Sequence, residues 1–401
     1  MNNFINESKR HFTLDKFLLL ILLAFGVISI VAIYLSAPLL NQGVAEARSL
    51  VQKQIMWYII GFILVAFLLK IGVDRMFTVI DVAYWILMVF LFGLVLAHYR
   101  VINFRFMEAI NGTNAWYQIP GIGSFQPSEF MKIVLIIKAA NTINTHNINK
   151  KATTFRSDFE LIFKMAKFAI PPLILIILQP DTGVPIVILF SLATMFIISG
   201  VRREWFIIIG TLAVSLLLGI VFLYRTNPEL LNSMLGGGKT SYRLDRFYGW
   251  LDYEKYAMSH GYQLFQALTS IGTAGMTGHP LGTLVAIYPE AQTDFIFAVI
   301  SQNFGFIGAA SVVALVFIFD IKLISNTIRS DLPRERYMMM GIIGMIVFQH
   351  LENIGMILAV LPITGITLPF ISYGGSSLMS YMIPIAVAFH MYSETQNRHR
   401  H

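Results

Sequence analysis

The 401-residue chain contains no cysteine, which excludes disulfides, thiolate metal sites and cysteine nucleophiles. Charge is nearly as scarce. Asp, Glu, Lys and Arg make up 13% of the residues, against about 25% in an average soluble domain. With 56% hydrophobic residues and a mean hydropathy of +0.68, there is too little polar sequence to cover several soluble cores. An ordinary soluble enzyme is therefore excluded. The nine histidines show no metal-ligand spacing: His350 and Glu352 do not form the zinc-protease pattern, and His399 and His401 end a basic tail. No Ser-His-Asp arrangement can be assigned, and no repeat recurs at a fixed period. Gly238-Lys239-Thr240 is not a phosphate loop, because Ser233 stands at the first-glycine position and no strand precedes it.

What the chain does have is long apolar runs. A helix needs roughly 20 mostly apolar residues to cross a bilayer. Ten stretches qualify, at approximately 17–36, 55–70, 78–98, 127–143, 166–179, 183–200, 205–224, 293–322, 337–359 and 372–392. The expected fold is an all-α polytopic integral membrane protein, with residues 1–401 forming one transmembrane domain. Pro171, Pro172 and Pro185 fall inside the fifth and sixth stretches, and Gln179-Pro180-Asp181 between them reads as a tight re-entry. With both termini placed in the cytoplasm, 19 of the 29 Lys and Arg residues fall in inner segments, as the positive-inside rule requires. The formal charge of +7 then reports topology rather than a nucleic-acid partner. The first span is too long for a signal-peptide core and is read as retained. Between spans seven and eight lies a long outer loop, 225–292, too long for a passive link. Its Gly-rich run from Gly261 to Gly282 suggests short helices on the membrane surface.

Several polar residues stand where they are expensive. Glu129 and Lys132 are three apart on one helix face. A charge at membrane depth costs about 2.5 to 3.5 kcal/mol, so the pair either fixes a helix or faces a polar cavity. Asp181 is a loop-capping or a functional aspartate. Asp294, just before the apolar run Phe295-Ile296-Phe297, is an N-cap or a catalytic or ion-binding carboxylate. Leu361 to Ser377 carries no charge but many hydroxyls, Gly and Pro; it is either an ordinary outer loop or backbone lining a cavity, with Ser372, Ser376 and Ser377 toward that cavity. Asn111-Gly112-Thr113 matches a glycosylation acceptor, a pattern of low specificity.

Four blocks together carry a resemblance: Asn111-Gly112 through Trp116 with Phe125-Gln126-Pro127-Ser128-Glu129 and Lys132; Gln179-Pro180-Asp181-Thr182-Gly183; Pro289-Glu290-Ala291-Gln292-Thr293-Asp294-Phe295-Ile296-Phe297; and Glu352-Asn353-Ile354-Gly355-Met356 through Ser377. The chain resembles the SEDS family (shape, elongation, division and sporulation) over nearly its whole length, and looks closer to the RodA branch than to the FtsW branch. The resemblance implies a peptidoglycan glycosyltransferase of the bacterial plasma membrane, polymerising lipid II into undecaprenyl-diphosphate-linked glycan for cell elongation and shape. It also implies a class B penicillin-binding protein as partner, alongside membrane lipids. Asp294 would be the catalytic base for the acceptor hydroxyl. Lys132, Arg48, Lys53, Arg243 and Arg246 are candidate counter-charges for the leaving diphosphate, Trp116 could stack on a sugar or lipid, and Glu129 could hold Lys132. Mg²⁺ or another divalent cation would assist diphosphate departure, although no ligand cage can be read. The chain departs from the family pattern at Ala115, where Arg is usual, and at Gln302-Asn303, where an acidic pair is usual. Two other functions compete: a transporter of the lipid-linked precursor, and a non-catalytic scaffold that activates the crosslinking partner.

Overall fold

The computed structural model describes residues 12–102, 104–107, 113–119, 123–181, 183–235 and 242–398, without the side chains of 105, 232, 235 and 242–245. Each of the ten apolar stretches is a helix. They are α1 (Lys16–Leu35), α2 (Val44–Ile71), α3 (Asp74–His98), α4 (Pro127–Asn149), α5 (Phe155–Ile177), α6 (Gly183–Ile198), α7 (Glu204–Thr226), α11 (Ile296–Ile328), α12 (Pro333–Ile357) and α13 (Gly375–Arg398). Three shorter helices, α8 (Pro228–Leu235), α9 (Tyr242–Leu251) and α10 (Tyr262–Thr273), occupy the long outer segment. A small antiparallel hairpin, β1 (Tyr117–Ile119) and β2 (Gly123–Phe125), precedes α4, with Tyr117 opposite Phe125.

Among the described residues, six of these ten helices are long and apolar enough to cross a membrane on length and composition alone, namely α1, α2, α3, α7, α11 and α12, and the chain is a multi-pass membrane protein. The remaining four depart for visible reasons. Helix α6 is short, and α5 carries charge in its first turns. Helices α4 and α13 bury polar residues against protein rather than lipid. Helix α4 is buried on nearly every side and packs against α3, α5, α6, α12 and α13. At the other extreme α7 buries only Trp205 and leaves most of its other residues exposed. Helices α6 and α12 approach closely because Gly341 and Gly344 leave room for Met195 and Thr194, whose atoms would lie 2.5 and 2.7 Å from an added Cβ. Several ends extend beyond the predicted spans, α2 starting at Val44 rather than 55 and α5 at Phe155 rather than 166. Those extra turns carry polar residues, which hydropathy assigns to loops although the helix continues through them.

The long outer segment forms short helices, as its composition suggests, and part of it also packs into the helical body. Helix α10 buries Leu264, Ala267 and Ser270 and packs on α11, and the chain that follows enters a break in α11 at Gly305. There φ is +62° and ψ −159°, a region only glycine tolerates. The amides of Phe306 and Ile307, freed by the break, donate to the carbonyls of Gly275 and Met276 at 3.0 and 3.1 Å, and the His279 amide donates to the Gln302 carbonyl at 2.9 Å. The inserted segment thus replaces the missing helical bonds, the condition under which irregular backbone survives at membrane depth.

Candidate functional site

The segment between α12 and α13 is the hub of the site. Asn353, fully buried in α12, donates from its amide to the carbonyls of Asp294 and Ile366, both at 2.7 Å. One side chain therefore clamps the approach to α11 against the segment after α12. Ser372 adds a second clamp, donating to the Thr293 carbonyl at 2.7 Å and accepting from the Leu368 amide at 2.8 Å. The Tyr373 amide donates to the Gln292 carbonyl at 2.9 Å. Buried Gln54 of α2 ties Ser29 to the Ser372 carbonyl, and Tyr58 donates to the Phe370 carbonyl. These bonds explain why an uncharged, Gly- and Pro-rich stretch is ordered.

Against this frame Asp294 and Arg246 converge on Gly365. An added Cβ there would lie 2.9 Å from the Arg246 guanidinium and 3.2 Å from the Asp294 carboxylate, and Gly365 itself has φ +75°. Arg246 reaches the spot from α9, donating to the Thr364 carbonyl at 2.5 Å, and Trp250 one turn further donates to the Ala359 carbonyl at 3.0 Å. The i, i+4 spacing of Arg246 and Trp250 puts both donors on one face of α9. Asp294 does not cap α11. Phe295 holds the N-cap position and no side chain caps it. Asp294 is half-buried. Burial pushes its carboxyl above the usual range, the nearby Glu290 carboxylate adds to that, and Thr293 and Arg246 oppose it. Glu290 sits at φ +57° and accepts from the Thr293 hydroxyl at 2.8 Å, local strain of the kind stored at functional sites.

A second polar centre lies within the helices. Lys132, 1% exposed, pairs with Glu129 at 2.9 Å and lies over the Tyr381 ring at 5.2 Å. Tyr381 in turn is bonded to Gln349 at 2.8 Å and to Thr367. Asp181 is close enough to feel both Glu129 and Lys132. It caps α6 by accepting from the Val184 amide at 3.3 Å, and accepts from Gln126 at 3.2 Å. Burial pushes its carboxyl up to about 6. Residues 364–367 reach both centres: the Thr364 carbonyl accepts from Arg246, and Thr367 is bonded to Tyr381.

The other sequence candidates occupy different places. Ser376 clasps the start of α13 to the hairpin, accepting from the Gln126 amide at 3.0 Å and donating to the Ser124 carbonyl at 2.9 Å, while Ser377 bonds within its own turn at 3.2 Å. Trp116 is half-buried beside β1, next to fully buried Ala115. Arg48 is exposed and Lys53 half-buried in the first turns of α2, without a bond to the Asp294 cluster among the described residues. Arg243 lies in α9, but its side chain is outside the described residues, as are Asn111, Gly112 and Thr182. Asn353, Glu290 and Gln54 were missed as site residues. The available signal was an amide or carboxylate inside or beside an apolar helix, which is expensive unless bonded. The amides at 302 and 303 are fully engaged. Gln302 accepts from Ser270 at 2.5 Å and donates to the Thr283 carbonyl at 2.8 Å, and Asn303 accepts from the Gly282 amide at 3.2 Å and donates to the Val299 carbonyl at 2.9 Å.

Residues 13–397 match the family model for FtsW, RodA and SpoVE, described as cell cycle proteins. The chain belongs to that family. It is 31% identical over 329 residues to stage V sporulation protein E of Bacillus subtilis, covering 79% of this chain and 82% of that protein. It is 32% identical over 315 residues to the probable peptidoglycan glycosyltransferase FtsW of Thiomicrospira cyclica, covering 77% and 74%. Among solved structures, a chain of a peptidoglycan synthase complex that coordinates polymerization and crosslinking superposes with a TM-score of 0.74 at 23% identity, over 96% of this chain and 99% of that one. RodA of Thermus thermophilus superposes with a TM-score of 0.63 at 22% identity, over 97% and 98%. The membrane fold of this family is thus shared over the whole length, with SpoVE, FtsW and RodA all represented among the relatives.

Proposed function

We propose that this protein is a peptidoglycan glycosyltransferase that extends glycan from lipid II at the outer face of the membrane, in cell elongation and shape, with Asp294 as general base. The observation that carries the reading is the apposition of Asp294 and Arg246 across Gly365, in a chain whose relatives include proteins named peptidoglycan glycosyltransferases. In this mechanism the Asp294 carboxylate takes the proton of the acceptor sugar hydroxyl as that oxygen attacks the anomeric carbon of the donor. The new C–O bond forms on the face opposite the lipid diphosphate, which departs with the electrons of the broken bond, so configuration inverts. A carboxylate whose affinity for a proton is raised by burial is a stronger base once ionised, and the Arg246 guanidinium beside it supplies positive charge for the departing diphosphate. Mg²⁺ or another divalent cation would assist departure of the diphosphate; among the described residues no three His, Asp or Glu side chains converge to hold one. A class B penicillin-binding protein would crosslink the product.

The test is lipid II polymerisation by purified protein, with and without the cognate transpeptidase and Mg²⁺. Asp294→Asn should lower the rate about 10² to 10⁴-fold, the range a general base supplies, while partner binding and thermal midpoint hold. Polymer made by that variant at the wild-type rate would overturn the reading and return the weight to precursor transport or scaffolding.

A further inference from the structure

On the inner face, remote from Asp294, α4 ends and α5 begins around a cavity of about 330 Å³. Its walls bring together Lys150, Lys151, Arg156 and Lys164, with Glu160 the only carboxylate among the described residues that line it, leaving an excess of three positive charges. Lys164 pairs with Glu160 at 2.7 Å and Lys150 donates to the Gly200 carbonyl at 3.3 Å. Exposed Lys151 and Arg156 have no carboxylate at ion-pair distance among the described residues. The floor is polar and ordered: His146, buried, is hydrogen-bonded to the Ser157 hydroxyl at 3.0 Å, and Thr154 caps α5 by accepting from the Ser157 amide at 3.2 Å. Arg156, Glu160 and Lys164 recur every four residues on one stripe of α5. On the adjacent stripe, one residue back, Phe159 and Phe163 are 59% and 73% exposed, and Ile148 of α4 is 74% exposed. Cationic cavity and apolar surface therefore adjoin at the cytoplasmic ends of two membrane helices.

We propose that this cavity binds the phosphate headgroup of an anionic phospholipid from the inner leaflet, with its acyl chains along the exposed phenylalanine stripe. A phosphate diester carrying one negative charge complements the excess of lysine and arginine. Basic pockets between helices on the cytoplasmic side select anionic lipids in this way. The apolar stripe is what a soluble phosphate would have no use for. The positive-inside rule accounts for basic residues on this face, but it does not require them to converge on one cavity.

The test is native mass spectrometry of the full chain in detergent, titrated with dioleoylphosphatidylglycerol and, separately, dioleoylphosphatidylcholine. The wild type should bind the anionic lipid in preference. Lys151→Gln/Arg156→Gln should weaken it roughly thirtyfold and Arg156→Gln alone about fivefold, the scale expected for losing two charges and one near a membrane surface. Lys70→Gln/Arg75→Gln, which removes two exposed charges from the same face outside the cavity, should change binding by less than about twofold. Equal loss in both double variants, or no preference for phosphatidylglycerol over phosphatidylcholine, would overturn the proposal. So would displacement of the lipid by inorganic phosphate at comparable concentration, which would make the site one for a free anion.

Discussion

A carboxylate acts as a base only when ionised, and Asp294 is held in the direction that makes ionisation harder. Burial is the largest cause and Glu290 adds to it, while Arg246 works the other way. Polymerisation should therefore rise with pH along a limb displaced above the ordinary carboxylate range. Arg246→Gln removes a charge that favours the ionised form, so the limb should move to still higher pH, besides lowering the plateau rate by about 10²-fold through loss of leaving-group stabilisation. A pH profile of kcat/KM for both proteins measures this. A limb that stayed in place or fell would show that Arg246 does not act on Asp294. Asp181 gives a different signature, in stability. Its folded value of about 6 lies above the 3.8 of the free side chain, so its contribution to folding is complete below 3.8 and is lost as pH rises through about 6. Asp181→Asn keeps an oxygen to cap α6 and cannot ionise. The decline of the thermal midpoint between pH 4 and pH 7 should be shallower in that variant than in the wild type.

Among the helices, α11 separates what periodicity can reveal from what it cannot. Its apolar run is plain in the sequence, as are the other nine, because each helix must satisfy its own backbone and present apolar surface over its length. The break at Gly305 leaves no local mark, since a glycine in an apolar membrane helix is common and only the arrival of residues 275–279 turns it into a kink. The register of α9 is likewise set by carbonyls at 359 and 364, which no short window contains. Gln302-Asn303, legible as a departure from the family pattern, has its physical account in this break. A glutamine can donate to Thr283 and accept from Ser270 at once, whereas a glutamate can only accept. Gln302→Glu should therefore cost about 1 to 3 kcal/mol through the unsatisfied Thr283 carbonyl, with the buried charge adding to it. Thermal unfolding in detergent reads this directly; an unchanged midpoint would mean that the segment re-forms its bonds without the amide.

Across the whole molecule the described parts of the four sequence blocks that carry the family resemblance meet around residues 361–377, but they form two centres that the sequence reading treats as one. Lys132 was a candidate counter-charge for the leaving group. At 1% exposure, paired with Glu129 and stacked on Tyr381, it is part of the packed interior, whereas Arg246 stands beside Asp294. Spacing along the chain could pair Glu129 with Lys132 on one face, yet could not say how deeply α4 would be enclosed by its five neighbours. This division makes stability and activity separable. Lys132→Met strands a buried carboxylate and should cost about 3 to 5 kcal/mol, while Glu129→Gln/Lys132→Met removes both charges and should recover most of that loss. Asp294→Asn should leave stability unchanged or slightly raised, because it removes a charge that burial disfavours, and should lower the polymerisation rate about 10² to 10⁴-fold. Chemical or thermal unfolding of the three variants beside their polymerisation rates tests the division. If the double variant were as unstable as Lys132→Met, the cost would lie in lost packing against Tyr381. If it were stable yet as inactive as Asp294→Asn, the buried pair would belong to the reaction, and the two centres would be one site joined through residues 364–367.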